Sequence, residues 1–394
     1  MDSVQGFSRT ADRVPPTHRA WVEVDLDAIR HNVQAIRQLL KPSTQLLSVV
    51  KADGYGHGAA AVARTALLAG ASWLAVATVE EGIQLRGAGI DAPILLFGPT
   101  ICKEEIEAVV EYRLQPTVCS LDQALRFSEA GLGTIQIHLK VDTGMSRLGV
   151  DWQEAQELLG AIRVLPNMTV AGLYSHLATA DAVDPTTTRE QCERFATLVE
   201  ALERQGIRPP LVHLANSAAT LTLPDTHFDV VRIGLAQYGL YPAARLQTIA
   251  ALHPALSLKA RIVFVKTVPP GTGVSYGHTF RTGRRTRLAT VSVGYGDGIS
   301  RALSNRIDVL VCGRRARQVG TITMDQCLID VTDVPDACEG EIATLLGQDG
   351  EESISVTEWA GPLGTISYEI LTALSPRLPR IVRGRRAVDR SSTI

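Results

Sequence analysis

The sequence is missing several features that would each point to a function class. Its six cysteines (Cys102, Cys119, Cys192, Cys312, Cys327 and Cys338) are scattered, with no CxxC pair and no metal-like cluster. They read as reduced, mostly structural thiols of a cytoplasmic protein. No apolar run is long enough to span a bilayer. The first twenty residues, MDSVQGFSRTADRVPPTHRA, contain no apolar h-region. A secretory signal is therefore not expected there, and a disordered tail is. Neither sign of charge is in excess: 39 Lys and Arg face 41 Asp and Glu, a net charge of −2. Neither nucleic acid nor a membrane surface is then the expected partner. No G-x-G-x-x-G follows the first strand-like run, which argues against a dinucleotide-binding, doubly wound sheet.

Apolar residues are plentiful: 45% of the 394 residues are hydrophobic, enough for a large core and more than one ordinary domain. After Asp25, a plausible N-cap, Leu26, Ile29, Val33, Ile36 and Leu40 recur at helical spacing. Short apolar runs then alternate with helical patterns: LLSVV (46–50), WLAVAT (73–78), PILLFG, LQPTV, IQIHLKV (135–141), TVAGLYSH (169–176), LVHLA (211–215) and FDVVRIG (228–234). These runs are continuously apolar rather than alternating, as in parallel strands covered on both faces. So many strand–helix units predict a closed (β/α)8 TIM-like barrel over residues 21–252, with residues 1–20 as a tail. The chemistry of such a barrel sits where strands end and loops begin. Lys51, Lys140, Arg147, His176, Asn216 and Arg232 interrupt the apolar pattern at those places.

Beyond His253 the texture changes to strand-like runs with Gly-rich turns, such as LKARIVFVKTV, RLATVSVGYGDG and IDVLVCGRRARQVGTITMDQCLIDV. Residues 253–394 are expected to form a mostly-β C-terminal domain, interrupted by one helix over roughly 357–374.

Several stretches are specific enough to name. VVKADGYGHG (49–58), HLKVDTGMSRLG (138–149), HLATAD (176–181), HLANSAAT (213–220), VRIGLAQYGLYP (231–242), GVSYGHTF (273–280), GYGDG (294–298), TMDQC (323–327) and ISYE (366–369) follow one another in family-like order. Together they resemble the alanine racemase family, from about residue 20 to the end of the chain. The resemblance implies a pyridoxal 5'-phosphate (PLP) enzyme, an isomerase with a PLP-binding barrel and a β-rich C-terminal domain. Its reaction would interconvert L- and D-alanine, supplying D-alanine for peptidoglycan.

Taken alone, Lys51 is either a surface cation at a helix start or a desolvated nucleophile able to form a Schiff base with an aldehyde. The resemblance assigns it the second role. It also implies cofactor contacts from Tyr55, His176, Asn216, Ser217, Arg232, Gly234, Leu235 and Tyr368, several of them around the phosphate. Arg232 would face the pyridine nitrogen, where a fixed cation disfavours ring protonation and weakens the ring as an electron sink.

Racemisation needs a proton removed on one face of Cα and returned on the other, most simply by two bases. Lys51 and Tyr276 match the family's pair, and a cationic His176, hydrogen-bonded to Arg232, would favour the Tyr276 phenolate. Because these two bases lie in different domains, the resemblance implies a homodimer with shared sites. Arg147 matches the arginine that holds the substrate carboxylate. The Met324 amide would assist it, and a carbamylated Lys140 would orient it. An uncarbamylated Lys140 paired with a carboxylate is equally compatible with the sequence. Tyr295 and Tyr368 would narrow the entrance, and Asp325 lies in the same region. No metal is implied. Thr323, His278 and Phe280 depart from residues seen in some members without removing a named group.

Other readings are a PLP barrel racemase preferring serine or a bulkier substrate, an amino-acid decarboxylase, and a non-catalytic PLP-binding protein. A decarboxylase of similar fold would place a carboxylate, not Arg232, at the pyridine nitrogen. A non-catalytic PLP-binding barrel would lack GVSYG, GYGDG and TMDQC.

Overall fold

The computed structural model describes residues 17–131 and 133–384. The expected tail therefore lies mostly outside the described residues, as do residues 385–394. Contacts divide the chain into two units, Leu26–Ala255 and a second unit formed by the described residues up to Asp25 together with Leu256–Gly384.

The first unit is the barrel. Strands β2 (Gln45–Val49), β3 (Trp73–Val76), β4 (Ile94–Pro99), β5 (Gln115–Val118), β6 (Ile135–Asp142), β8 (Met168–Tyr174), β9 (Leu211–His213) and β10 (Val230–Ile233) run parallel in the order β10-β2-β3-β4-β5-β6-β8-β9. The two-residue β7 (Val150–Asp151) pairs with the end of β6 outside this path. Backbone bonds from Asp229 N to Val212 O (3.0 Å) and from Arg232 N to Ala215 O (3.0 Å) bring the two ends of the path together. Leu46, Leu47, Leu74, Val76, Leu95, Leu139 and Val231 are all essentially inaccessible, which is why the strands read as unbroken apolar runs. Helices follow the strands close to their expected places. Val79–Gly87 starts at a capping box, in which Thr78 and Glu81 each satisfy the other's backbone amide. Among the described residues no helix is long and apolar enough to cross a membrane.

The second unit is a nine-stranded sheet of β1 (Ala20–Asp25), β11 (Leu256–Val268), β14 (Thr286–Val291), β15 (Asp308–Val311), β16 (Arg314–Gln318), β17 (Cys327–Asp330), β18 (Ile342–Asp349), β19 (Glu352–Ile354) and β20 (Arg380–Arg383). A small hairpin of β12 (Gly273–Val274) and β13 (Phe280–Arg281) stands apart. Antiparallel pairs run from β11 through β14, β17, β16, β15 and β18 back to β11, which closes a ring.

Two expectations need correction here. Residues 21–25 do not begin the barrel. They form β1, antiparallel to β11 and parallel to β20, with Trp21, Val22 and Val24 buried. Glu23 of β1 accepts from Trp21 Nε1 at 2.9 Å and pairs with Lys259 and Arg383 of the same unit. Nor is Arg19 part of a tail, since it forms an ion pair with the inaccessible Asp297 at 2.6 Å. The helix expected over 357–374 is instead two, Val356–Leu363 and Ser367–Thr372. Gly364, at φ 64°, ends the first in a left-handed cap, and Ile366 is extended.

Gly239 is a position where the barrel depends on having no side chain. It caps the turn Leu235–Tyr238 at φ 82°, and an added Cβ would stand 1.8 Å from the His253 carbonyl oxygen. Gly239→Ala should therefore lower unfolding stability by about 3 kcal/mol, through overpacking and a disfavoured φ together. The measurement is the denaturant midpoint of the purified variant, and an unchanged midpoint contradicts the geometry.

Candidate active site

Lys51 stands just past the end of β2, and the polar groups beneath it fix where that end lies. Gln237 Nε2 and the Tyr238 hydroxyl both donate to Val49 O, at 2.7 and 3.0 Å, and Ser48 Oγ donates to Gln237 Oε1 at 2.6 Å. After Lys51 the chain does not enter an ordinary helix. Ala52, Asp53 and Gly54 have φ/ψ of 52°/52°, 51°/47° and 62°/43°, and Tyr55 has φ 53°. This is one turn of left-handed helix, which Gly54 adopts freely and the other three do not. The turn brings Tyr55 inward, 6% exposed and packed on the Tyr238 ring at 4.9 Å. Lys51 is half-buried; burial and the Arg147 cation push its amine below the usual lysine range, while the Glu81 carboxylate opposes them.

Arg232, on β10, is 3% exposed and hydrogen-bonded through both Nη atoms. Its Nη2 donates to the carbonyls of Ser175 and Leu214, at 2.9 and 3.0 Å, and to His176 Nδ1 at 3.1 Å. Its Nη1 donates to His213 Nδ1 at 3.3 Å. A guanidinium has no acceptor, so both imidazoles must offer a bare Nδ1 and carry their proton on Nε2. From His213 the direction passes onward: Nε2–H donates to His138 Nδ1 (3.0 Å), and His138 Nε2–H donates to Gln115 Oε1 (3.0 Å). Burial and the Arg232 charge hold His176 and His213 well below the usual histidine range, and push His138 down to about 3. Arg232 is itself lowered to about 10 by burial. His176 is thus a neutral donor, and the fixed charge behind it belongs to Arg232.

Lys140, on β6, is 6% exposed, with Nζ 4.6 Å over the Tyr174 ring. Burial, Arg232 and Arg147 push its amine far down; Asp142 counteracts this but is already bound by the amides of Gly144, Met145 and Ser146. Arg147 is exposed at the end of that same loop. Lys51, Lys140, Arg147 and Arg232 all act on His176, so the strand ends form a strongly cationic cluster. Such a cluster suits anions.

Anion donors stand close by. Asn216 caps the helix Ser217–Thr222, its side chain accepting from Ala219 N at 3.1 Å. Ser217 Oγ accepts from Gly234 N at 2.9 Å and from Ala236 N at 3.4 Å, which leaves its hydroxyl proton to donate. The Tyr55 hydroxyl closes the same corner, 2.7 Å from where a Cβ on Gly234 would stand. Leu235 begins the turn that follows. Hydroxyls and backbone amides with a neighbouring lysine match what a phosphate and an aldehyde require, so these residues fit PLP.

The remaining sequence-derived residues lie in the second unit. Tyr276 opens a short 3₁₀ turn and is 73% exposed, its carbonyl accepting from Thr321 Oγ1 at 2.8 Å. Tyr295 and Met324 are also exposed, on loops joined by Tyr295 N to Thr323 O and Gly296 N to Met324 O, each 2.9 Å. Asp325 is held by Arg377 at 2.7 Å. Tyr368 is half-buried in the helix Ser367–Thr372.

Several contributors escaped sequence reasoning. Gln191, fully buried in the helix Thr186–Arg204, donates to His176 O (3.1 Å) and Thr143 Oγ1 (3.2 Å) and accepts from Ala178 N (2.8 Å). It ties the loop after β8 to the loop after β6. His138 and His213 were visible only as single histidines in apolar runs. Glu81 was visible only as the last member of Thr78-x-x-Glu81, a capping box.

The neutral histidines give the barrel an acid sensitivity of definite sign. An unfolded histidine takes up a proton below about pH 6.5, whereas these folded ones do not, so stability is full above that pH and falls below it. Between pH 7 and 5.5 each withdraws on the order of 1 kcal/mol, so His138, His176 and His213 together withdraw a few kcal/mol. Unfolding at pH 5.5 should take up about three more protons than the rest of the chain accounts for. Equal stability at the two pH values would contradict this assignment.

Comparison with known proteins agrees with the fold. The description "Alanine racemase, N-terminal domain" matches residues 24–242, and "Alanine racemase, C-terminal domain" matches residues 255–382. The alanine racemase of Nostoc sp. (strain PCC 7120) is 54% identical over 371 residues, covering 93% of this chain and 96% of that protein. That of Synechocystis sp. (strain PCC 6803) is 51% identical over 367 residues, covering 92% and 99%. Among solved structures, the Bacillus anthracis alanine racemase with bound L-Ala-P is 40% identical, with a TM-score of 0.87 over 94% of this chain and 96% of that one. The Clostridium difficile 630 enzyme gives a TM-score of 0.89 at 34% identity, over 94% and 97%. With both domains matched in order along nearly its whole length, the chain belongs to the alanine racemase family.

Proposed function

We propose that the chain interconverts L- and D-alanine with PLP held on Lys51. The supporting observation is a lysine with a disfavoured ammonium form, set beside a fixed arginine in a cluster of cations at the barrel strand ends. Bound there, PLP supplies an electron sink that acidifies the Cα–H bond of the substrate. Ser217, Tyr55 and the Leu235 amide would hold its phosphate, with the Gly234 amide turning to it from Ser217 Oγ, Asn216 shaping that corner and Tyr368 closing on it. Arg232 would stand toward the pyridine nitrogen as a donor that cannot accept, and its charge would disfavour protonation there and weaken the sink. A weak sink limits the lifetime of the deprotonated substrate and so limits side reactions.

Lys51 Nζ moves the proton on one face of Cα, and Tyr276 Oη moves it on the other. Tyr276 must part with its phenolic proton, and the charge that favours this is Arg232's, relayed through the Nε2–H of a neutral His176. Arg147 grips the substrate carboxylate, with the Met324 amide beside it. Lys140, buried with its amine form favoured, is chemically ready for carbamylation and would then orient Arg147 as an anion. Tyr295 and Tyr368 narrow the approach, which keeps the substrate small, and Asp325 steadies the Met324 loop through Arg377. We place Tyr276 opposite the Lys51 of a second copy, in a homodimer with two shared sites. Supply of D-alanine for peptidoglycan, in the cytoplasm, is the role this reaction would serve.

The PLP-loaded protein, given L-alanine in D₂O, should yield D-alanine carrying deuterium at Cα, with L-serine and L-lysine reacting less. No D-alanine from an intact holoenzyme would overturn the reading. Lys51→Ala should be inactive, and Tyr276→Phe should lose roughly 10²–10⁴-fold, the usual weight of one acid–base group. Mixing the two inactive variants in equal amounts should restore roughly a quarter of wild-type activity, because half the dimers are mixed and each holds one intact site. No recovery after verified subunit exchange would rule out shared sites.

A further inference from the structure

The residue that follows Lys51 stands in a conformation that its side chain disfavours. Ala52, Asp53 and Tyr55 all have φ between 51° and 53°. Each such L-residue costs roughly 1–2 kcal/mol, so the turn persists only where its surroundings over-determine it. Two carboxylates supply that restraint. Asp53 Oδ1 accepts from the amide of Ala59 at 2.9 Å, closing the turn on the helix Ala59–Leu68. Glu81 reaches in from a different strand–helix unit. Its Oε1 accepts from the Ala52 amide at 2.6 Å and its Oε2 from the Ala77 amide at 2.7 Å.

One carboxylate therefore ties the first residue after Lys51 to the chain leaving β3. The tie is itself anchored, because the Glu81 amide donates to Thr78 Oγ1 at 3.3 Å within the capping box. A capping-box glutamate ordinarily returns to the N-cap amide. Here that contact is the longest of the set, Thr78 N to Glu81 Oε2 at 3.4 Å, while the two short ones go elsewhere. The geometry serves the left-handed turn better than it serves the helix.

We propose that Glu81 is a positioning residue for Lys51, holding the strained turn in place so that the amine stays aimed at the cation cluster. The proposal rests on Lys51 being the anchor of the cofactor. Removing Glu81 would do two things: free the Ala52 amide, and take away a negative charge near the amine. Ala52→Gly separates them, since glycine accepts the left-handed conformation without strain and leaves the charge unaltered.

The test is titration of PLP into cofactor-free protein, followed by the visible absorbance of the lysine-bound form, with thermal unfolding in parallel. Glu81→Ala should weaken the apparent Kd about tenfold, equivalent to ~1.4 kcal/mol. Glu81→Gln, which retains one acceptor oxygen for two amides, should lose less, about threefold. Adding Ala52→Gly to Glu81→Ala should recover at least about half of the loss on a logarithmic scale. A merely structural role would lower the melting temperature and leave the Kd of the folded protein unchanged, and that result overturns the proposal. So does a double variant that binds no better than Glu81→Ala. Should Glu81→Ala not fold, Glu81→Gln with and without Ala52→Gly gives the same comparison. Lys51→Ala is the separate control: if it keeps the visible band, the assignment of Lys51 fails and the role of Glu81 with it.

Discussion

The barrel interior is organised around a cation that pairs with no carboxylate among the described residues. Arg232 is buried among two imidazoles and two backbone carbonyls, all acceptors. Hydrogen bonds engage both its Nη groups but leave its charge uncompensated, and such a charge in a low-dielectric interior imposes itself on everything nearby. It sets the tautomers of His176 and His213, and through His213 that of His138. It also helps suppress the ammonium form of Lys140. A (β/α)8 barrel is usually filled by layers of branched apolar side chains. Here part of the filling is a directional chain from Arg232 through two histidines to Gln115, and on to Gln136 at 2.8 Å. Reversing any one bond would oppose donor to donor, so the chain is rigid in its polarity as well as its packing.

That charge reaches further than any single contact does, since it acts on His138, His176, His213 and Lys140 together. The cationic strand ends suit anions, and burial together with Arg147 pushes the Lys51 amine below the usual lysine range. The arrangement stores an electrostatic deficit that folding must carry, in the way functional sites often trade stability for pre-organisation.

Much of the barrel was legible in the sequence because its strands are buried on both faces and its helices keep a 3.6-residue period. Lys51, His176 and Arg232 stood out as polar interruptions at strand ends, and the structure brings them together. What escaped reading is non-local. AWVEVD is a good strand in either unit, and only its partners β11 and β20, more than two hundred residues later, decide which sheet it joins. The contact of Glu81 with Ala52 spans 29 positions, and its local pattern spells only a helix start. The neutrality of His176 follows from a donor reaching it from β10, which no reading of TVAGLYSH reveals. The helix break at Gly364 was available in principle, since glycine marks such caps, but the apolar spacing on either side concealed it.

The position of β1 has a consequence for the order of events as the chain is made. Residues 26–255 hold all eight barrel strands and leave the ribosome as one continuous stretch. The C-terminal sheet is different, because its β1 is synthesised first and its β20 nearly last, yet they lie side by side. β1 must wait, with Trp21 and Val22 uncovered, through the whole barrel until β11 emerges, and longer still for β20. Such long-range pairing is slow and exposes a hydrophobic edge meanwhile. The interval between the first strand and its partners is where this chain is most exposed to chaperones and to misassembly.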